Sequence, residues 1–334
     1  MNSTISTRGI ARLAWAAALF ALVVIVFGAF VRLSNAGLSC PDWPTCYGKV
    51  TWPVHEHEVD AANAAFPDRP VESNKAWREQ VHRFLAGGLI LTTFALAIWS
   101  WRRRRDLQGL AAVPFAAAVF ILFQALLGMW TVTWKLKPVV VMGHLLGGLL
   151  TFSLLTWTAW QATDRPIRVP DARTLRRWLI VALVLLALQI ALGGWTSSNY
   201  AALACGTDFP TCVGRWWPPH DFHQGFVVWR GIGVDYEGGV LDGASRIAIQ
   251  LAHRMMAVVV FVYVLVLSTR LLRTPGMRGY GALLGGLVIA QVCLGIANVK
   301  LALPLHVAVL HNAGAALLLF VLVGLVARVR APEA

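Results

Sequence analysis

The stretch Leu13-Ala-Trp-Ala-Ala-Ala-Leu-Phe-Ala-Leu-Val-Val-Ile-Val-Phe-Gly-Ala-Phe-Val-Arg-Leu33 decides the fold. It holds no charge before Arg32, and a bilayer-spanning helix needs about 20 apolar residues. Seven more such runs follow, at about 80–101, 111–131, 139–161, 178–197, 246–269, 280–299 and 306–327. Composition agrees. Charged residues make up 13% of the chain against about 25% in soluble domains, and 57% is hydrophobic. A soluble globular enzyme and a disordered chain are both excluded. The expected fold class is an all-α integral membrane protein with eight transmembrane helices. Residues 1–12 are short and polar, and no small-residue cleavage site follows them. The first run is therefore read as a span, not a removed signal peptide.

Charge orients the spans. The side shared by both termini carries 16 of the 29 basic residues and four of the 16 acidic ones, a net of +12. The opposite side is nearly neutral. Basic loops stay cytoplasmic, so both termini are placed inside and the long loops 34–79 and 198–245 outside. This accounts for the net charge of +13. No nucleic-acid partner is needed, and the surrounding lipid is the partner expected. Cys40, Cys46, Cys205 and Cys212 all fall in the outer loops. They are read as two local disulfides, Cys40–Cys46 and Cys205–Cys212, in an oxidising compartment. One zinc ion bound by all four is the competing reading. Cys293, inside an apolar run, is expected to be a small packing residue.

The chain repeats itself. Cys40-Pro-Asp-Trp-Pro-Thr-Cys46-Tyr-Gly parallels Cys205-Gly-Thr-Asp-Phe-Pro-Thr-Cys212-Val-Gly, and each is followed by a Trp-Pro pair. His82-Arg83 parallels His253-Arg254, Gln124-Ala-Leu-Leu-Gly128 parallels Gln291-Val-Cys-Leu-Gly295, and His144 parallels His311. The offsets are 165 for the first cysteines, 171 for the first histidines and 167 for the second. An even number of spans per repeat preserves orientation. Two tandem four-helix bundles related by a pseudo-twofold along the membrane normal are therefore expected, over residues 1–165 and 166–334.

Histidines in lipid spans are costly and usually functional. His82, His144, His253 and His311 put two imidazoles per half at similar depth, on different helices. That arrangement suits two axial ligands on opposite faces of one flat macrocycle, as in haem. His55, His57, His220, His223 and His306 are read as solvated. Arg83 and Arg254 either pair with haem propionates or anchor the spans at the interface. The repeat breaks at one informative position. Glu79 stands three residues before His82, whereas Gln250 stands three before His253. A carboxylate beside one site and an amide beside the other imply unequal tasks. The plainer alternative is that Glu79 simply pairs with Arg78 or Arg83.

Arg32-Leu-Ser-Asn-Ala-Gly-Leu-Ser-Cys-Pro-Asp-Trp-Pro-Thr-Cys46, Glu79-x-x-His82-Arg83 and the single histidines early in the fourth, sixth and eighth spans together resemble the haem A synthase family. The resemblance covers nearly the whole chain and includes the bacterial pattern of one cysteine pair per half. Stretches 55–76 and 220–243 match least. The resemblance implies an oxidoreductase that converts the C8 methyl of haem O to a formyl group, giving haem A for cytochrome oxidase. It implies a cofactor haem b whose iron is ligated by His253 and His311 in the C-terminal half. In the N-terminal half, substrate haem O is held by His82 and His144 with Glu79 catalytic beside it. It further implies a bacterial cytoplasmic (inner) membrane location, haem O synthase and an electron-transfer protein as partners, and leaves room for a homo-oligomer. A dihaem b-type electron-transfer protein without turnover is the alternative. It is disfavoured because all four histidines lie near one face. A thiol–disulfide transporter is disfavoured because no cysteine pair lies within a span.

Overall fold

The computed structural model describes residues 2–105, 107 and 109–332, with side chains from Arg8 onward. Asp106 and Glu333, both part of the charge tally, lie outside them. Eight helices are long and apolar enough to cross a membrane. They are α1 (Asn2–Leu33), α3 (Ser73–Arg102), α4 (Ala112–Thr133), α5 (Pro138–Thr163), α6 (Ala172–Ser198), α8 (Gly243–Arg273), α9 (Arg278–Lys300) and α10 (Leu305–Arg328). Two short helices, α2 (Glu56–Ala65) and α7 (Phe222–Gly225), lie in the long loops. The expected spans are all found, but three helices start well before their apolar runs: α1 by eleven residues, α3 by seven and α6 by six. The polar segment from Ser73 continues the helix, so His82 stands about 14 Å along α3 and not at its mouth.

The helices pack as two rings. In one, α1 touches α3 and α5, and α4 closes the circle between them; in the other, α6, α8, α9 and α10 do the same. The rings meet where α5 and α1 pack on α10 and α5 packs on α6. Small residues allow this closeness. Ala14, Ala17, Ala18 and Ala21 of α1 are buried. Large apolar residues such as Leu19, Val23 and Leu91 point outward. A lipid solvent reverses the usual cost of such exposure, since lipid tails are as apolar as leucine. Cys293 is also on an outward face of α9. It is therefore not the packing residue expected: its turn of α9 points away from the ring.

At the end bearing the termini, β1 (Ile167–Arg168) pairs in parallel with β2 (Val329–Arg330), a small exception to an all-helical chain. Arg328, buried there, lies 3.6 Å over the Trp160 ring and donates to the Tyr280 hydroxyl at 3.0 Å. At the opposite end the two long loops close over the rings. Cys40–Cys46 and Cys205–Cys212 are disulfides, and all four cysteines are buried. The zinc alternative is thereby excluded: no metal-sized cluster of His, Cys, Asp or Glu exists among the described residues. The two loops are clasped by Arg69, which pairs with Asp235 and Glu237 at 2.5 Å each. Tyr236, between those acids, is buried and its N–H donates to the Lys135 carbonyl at 3.1 Å. The clasp and both short helices fall in the stretches that matched the family least.

Candidate haem sites

Each of the four intramembrane histidines rests on a glycine of a neighbouring helix. A Cβ added to Gly28 of α1 would lie 2.8 Å from His82 Cε1. At Gly128 it would lie 3.0 Å from His144 Cε1. At Gly193 and Gly295 it would lie 3.2 Å from Cε1 of His253 and His311 respectively. Ordinary carbon contacts are wider, so the rings need glycine there. The seat glycines lie on a different helix from the histidine each one meets. They admit imidazole rings between close helices.

Most of these histidines also carry a glutamine amide. Gln124 Nε2 donates to the His144 carbonyl at 2.5 Å and lies 3.0 Å from its Nδ1. Gln189 Nε2 lies 3.2 Å from His253 Nδ1 and donates to the His253 carbonyl at 3.3 Å. Gln291 Nε2 donates to the His311 carbonyl at 2.9 Å. Each glutamine precedes a seat glycine by four residues, one helical turn, so amide and seat share a face. The matching position before Gly28 is Val24. His82 has instead the Phe27 ring, stacked at 6.4 Å between centroids.

Glu79 and Gln250 occupy matching buried places, 5% and 4% exposed. Their surroundings differ. Glu79 Oε1 pairs with Arg83 at 2.5 Å; Oε2 accepts from the Cys40 backbone N–H at 2.9 Å and from Ser39 Oγ at 3.1 Å. The carboxylate thus ties the first cysteine loop to α3. Gln250 leaves its Oε1 without a partner. Arg83 also donates to the carbonyls of Asp42 and Thr45, and Arg254 to those of Asp208 and Thr211. Both guanidinium forks are therefore turned onto the cysteine loops. Asp42 organises the first loop by accepting from Thr45 Oγ1 and from the N–H groups of Tyr47 and Gly48. Burial pushes its carboxyl up, but those hydrogen bonds outweigh burial and hold it below the usual carboxylate range.

The histidines expected to be solvated are so placed: His55, His57, His223 and His306 are exposed, and His220 is partly so. The site residues the sequence did not assign a task are Gln124, Gln189, Gln291, Val24 and Phe27. The signal was present as Gln-x-x-x-Gly in three spans, but only contact with a histidine gives that pattern a meaning.

The residues present fit haem. Nδ1 of His82 and His311, and Oε1 of Gln124, Gln189 and Gln291, are buried without a hydrogen-bond partner. Orphaned polar atoms of this kind are expensive in an apolar interior, and a group bound between the histidines would account for their grouping here. Two imidazoles per ring of helices, on different helices, form the donor set that takes a six-coordinate haem iron.

Comparison with known proteins gives the same direction. The chain is 46% identical over 306 residues to a protein of Shewanella oneidensis named Heme A synthase, covering 91% of this chain and 92% of the other. It is 30% identical over 343 residues to the Heme A synthase of Caulobacter vibrioides, covering 95% and 94%. It is 25% identical over 301 residues to that of Bacillus licheniformis, covering 87% and 86%. The family model described as cytochrome oxidase assembly protein, COX15-CtaA, matches residues 11–323, and the chain belongs to that family.

Proposed function

We propose that this membrane protein is a haem A synthase, an oxidoreductase that converts haem O to haem A by oxidising the C8 methyl to a formyl group. Relatives carrying that name span nearly its whole length. The N-terminal half (1–165) is the substrate half, where His82 and His144 hold haem O. The C-terminal half (166–334) retains haem b as cofactor through His253 and His311. The observation that carries this division is a chemical break between matched buried positions, Glu79 in one half against Gln250 in the other.

Haem iron, when bound, supplies the oxidising chemistry. The chain supplies position and electrostatics. Glu79 is held by Arg83, Ser39 and the Cys40 N–H, so its carboxylate is fixed before substrate arrives. A fixed anion stabilises positive charge developing at a neighbouring carbon, and it costs no reorganisation during reaction. The first cysteine loop, pinned by its disulfide and by Arg83, excludes water from that side. Arg254 Nε, buried without a partner, is the donor left for a propionate in the second half. Arg83 would give up a loop carbonyl to make the matching contact. Charge asymmetry and the two disulfides support a bacterial inner-membrane setting, with termini cytoplasmic and the cysteine loops periplasmic. Haem O synthase, an electron-transfer partner and a second copy of this chain are the proposed associates.

The test is haem extraction from the purified protein, with chromatography and mass identification. Haem b together with haem O or A, the latter lost in His82→Ala and haem b lost in His253→Ala, is expected. Two equivalents of haem b, one removed by each substitution, would instead make the chain an electron carrier.

A further inference from the structure

Four glycines seat four histidines, and three of the four seats have a glutamine one turn before them. The motifs are Gln124-Ala-Leu-Leu-Gly128, Gln189-Ile-Ala-Leu-Gly193 and Gln291-Val-Cys-Leu-Gly295; the fourth reads Val24-Ile-Val-Phe-Gly28. The glycine contacts fix the register independently, because Gly28 and Gly193 meet the same Cε1 atom of His82 and His253. Val24 therefore occupies the place from which Gln189 reaches its histidine, and an apolar side chain there makes no hydrogen bond. Among the described residues, each of the other three histidines has its carbonyl bonded by a glutamine amide. His82 has no such amide, and its Nδ1 is buried without a partner.

We propose that Val24 makes His82 the releasable ligand of the substrate half, and that Gln124, Gln189 and Gln291 are positioning residues that keep the other three histidines on their iron. This rests on the two-site function proposed above and deepens it. A histidine ligating through Nε2 carries its proton on Nδ1 and needs an acceptor there to fix tautomer and ring orientation. Gln124 and Gln189 bring an amide to Nδ1. Their Nε2 is committed to the histidine carbonyl and pins that turn of the helix, and the unpartnered Oε1 of the same amide is the acceptor left for an Nδ1 proton when the ring turns to ligate. His82 has an aromatic ring beside it and no glutamine at either its ring or its carbonyl, whereas His311, whose Nδ1 is likewise without a partner, is still held through its carbonyl by Gln291. The two halves have opposite requirements: a cofactor must stay, whereas a substrate must enter and its product leave. One unsupported ligand in the substrate half meets that need. His144, held by Gln124, remains as the pivot.

The experiment uses the full-length chain in detergent, with haem b bound and haem O added, and excess apomyoglobin as haem acceptor. Each departing haem is followed by absorption and identified by chromatography. In the parent, haem O leaves at least tenfold faster than haem b. Val24→Gln slows haem O release by roughly ten- to a hundredfold, and Gln189→Val speeds haem b release by a similar factor. Gln189→Val also shifts the low-spin ferric resonance of haem b, and Gln189→Met, which keeps the volume and removes the amide, gives the same shift. Val24→Leu alters volume without adding an amide and keeps the parent rate. Gln189→Asn, with a shortened amide, falls between parent and Gln189→Val. Release rates unchanged in both Val24→Gln and Gln189→Val overturn the proposal, as does equal slowing by Val24→Leu. His82→Ala and His253→Ala are run alongside to show which haem occupies which half. If they exchange or mix the haems, the division of sites fails, while the glutamine effect is still read on whichever haem leaves each half.

Discussion

Gly28→Ala gives the sharpest test of the histidine seats. The new Cβ would stand 2.8 Å from His82 Cε1 and 3.2 Å from Nε2, the ring nitrogen proposed to face iron. Carbon atoms at ease sit at about 3.5–4.0 Å, so α1 and the imidazole must separate by roughly 0.7 Å or more. Overpacking of this size costs about 1–3 kcal/mol. Alanine also gains about 1 kcal/mol of helix propensity over glycine, so the protein's thermal stability changes little. The strain falls on the ring, the part free to turn. If it falls wholly on the ligated geometry, affinity for haem O drops about 5- to 150-fold at 1.4 kcal/mol per decade. The assay is titration of the purified protein with haem O by difference absorption, with haem b content measured on the same sample. Gly193→Ala, at 3.2 Å from His253 Cε1, forms the milder counterpart and acts on haem b alone. Parent-like haem O affinity in a folded Gly28→Ala protein, with an unshifted spectrum, would refute the seat argument.

Three further outcomes follow from the same geometry. Glu79→Gln keeps both haems but lowers turnover to haem A by roughly 10²–10³-fold, as loss of one preorganised electrostatic contact does; product chromatography against retained haem decides it. Cys40→Ser with Cys46→Ser removes a short cross-link and costs about 2 kcal/mol, seen as a lower melting temperature, while the haem b of the other half stays bound. Asp42 has a folded-state carboxyl below its ordinary value, so its support of the first loop is full above that value and is lost as pH falls through the depressed one. Protection of the Tyr47 and Gly48 amides from hydrogen exchange should therefore persist at pH 4, and Asp42→Asn, which keeps one acceptor oxygen of the two, should lose protection at one of these amides already at neutral pH.

Much of this protein is written along the chain. The eight spans are set by local composition, because a lipid solvent demands about 20 apolar residues whatever the neighbours are. The cysteine pairs could be assigned because short sequence separation forces proximity. The four histidines stood out because ionisable groups in spans need a reason, and the repeat supplied their pairing. Glu79 against Gln250 was likewise visible as a mismatch between halves.

Other features required helices from distant parts of the chain to meet. Glu79 could have capped a helix or paired with Arg78; packing of the first loop on α3 selects Arg83, Ser39 and the Cys40 N–H. Arg83 and Arg254 carry the right charge for propionates, yet the loop carbonyls reach them first. The Arg69 clasp joins residues 166 and 168 positions apart, with no periodicity to announce it. Gln-x-x-x-Gly is an ordinary helical pattern until a histidine from another helix rests on the glycine. Burial along one helix follows from its own residues and solvent. Which polar atom finds which partner depends on distances between helices, and those are fixed only when both rings have packed.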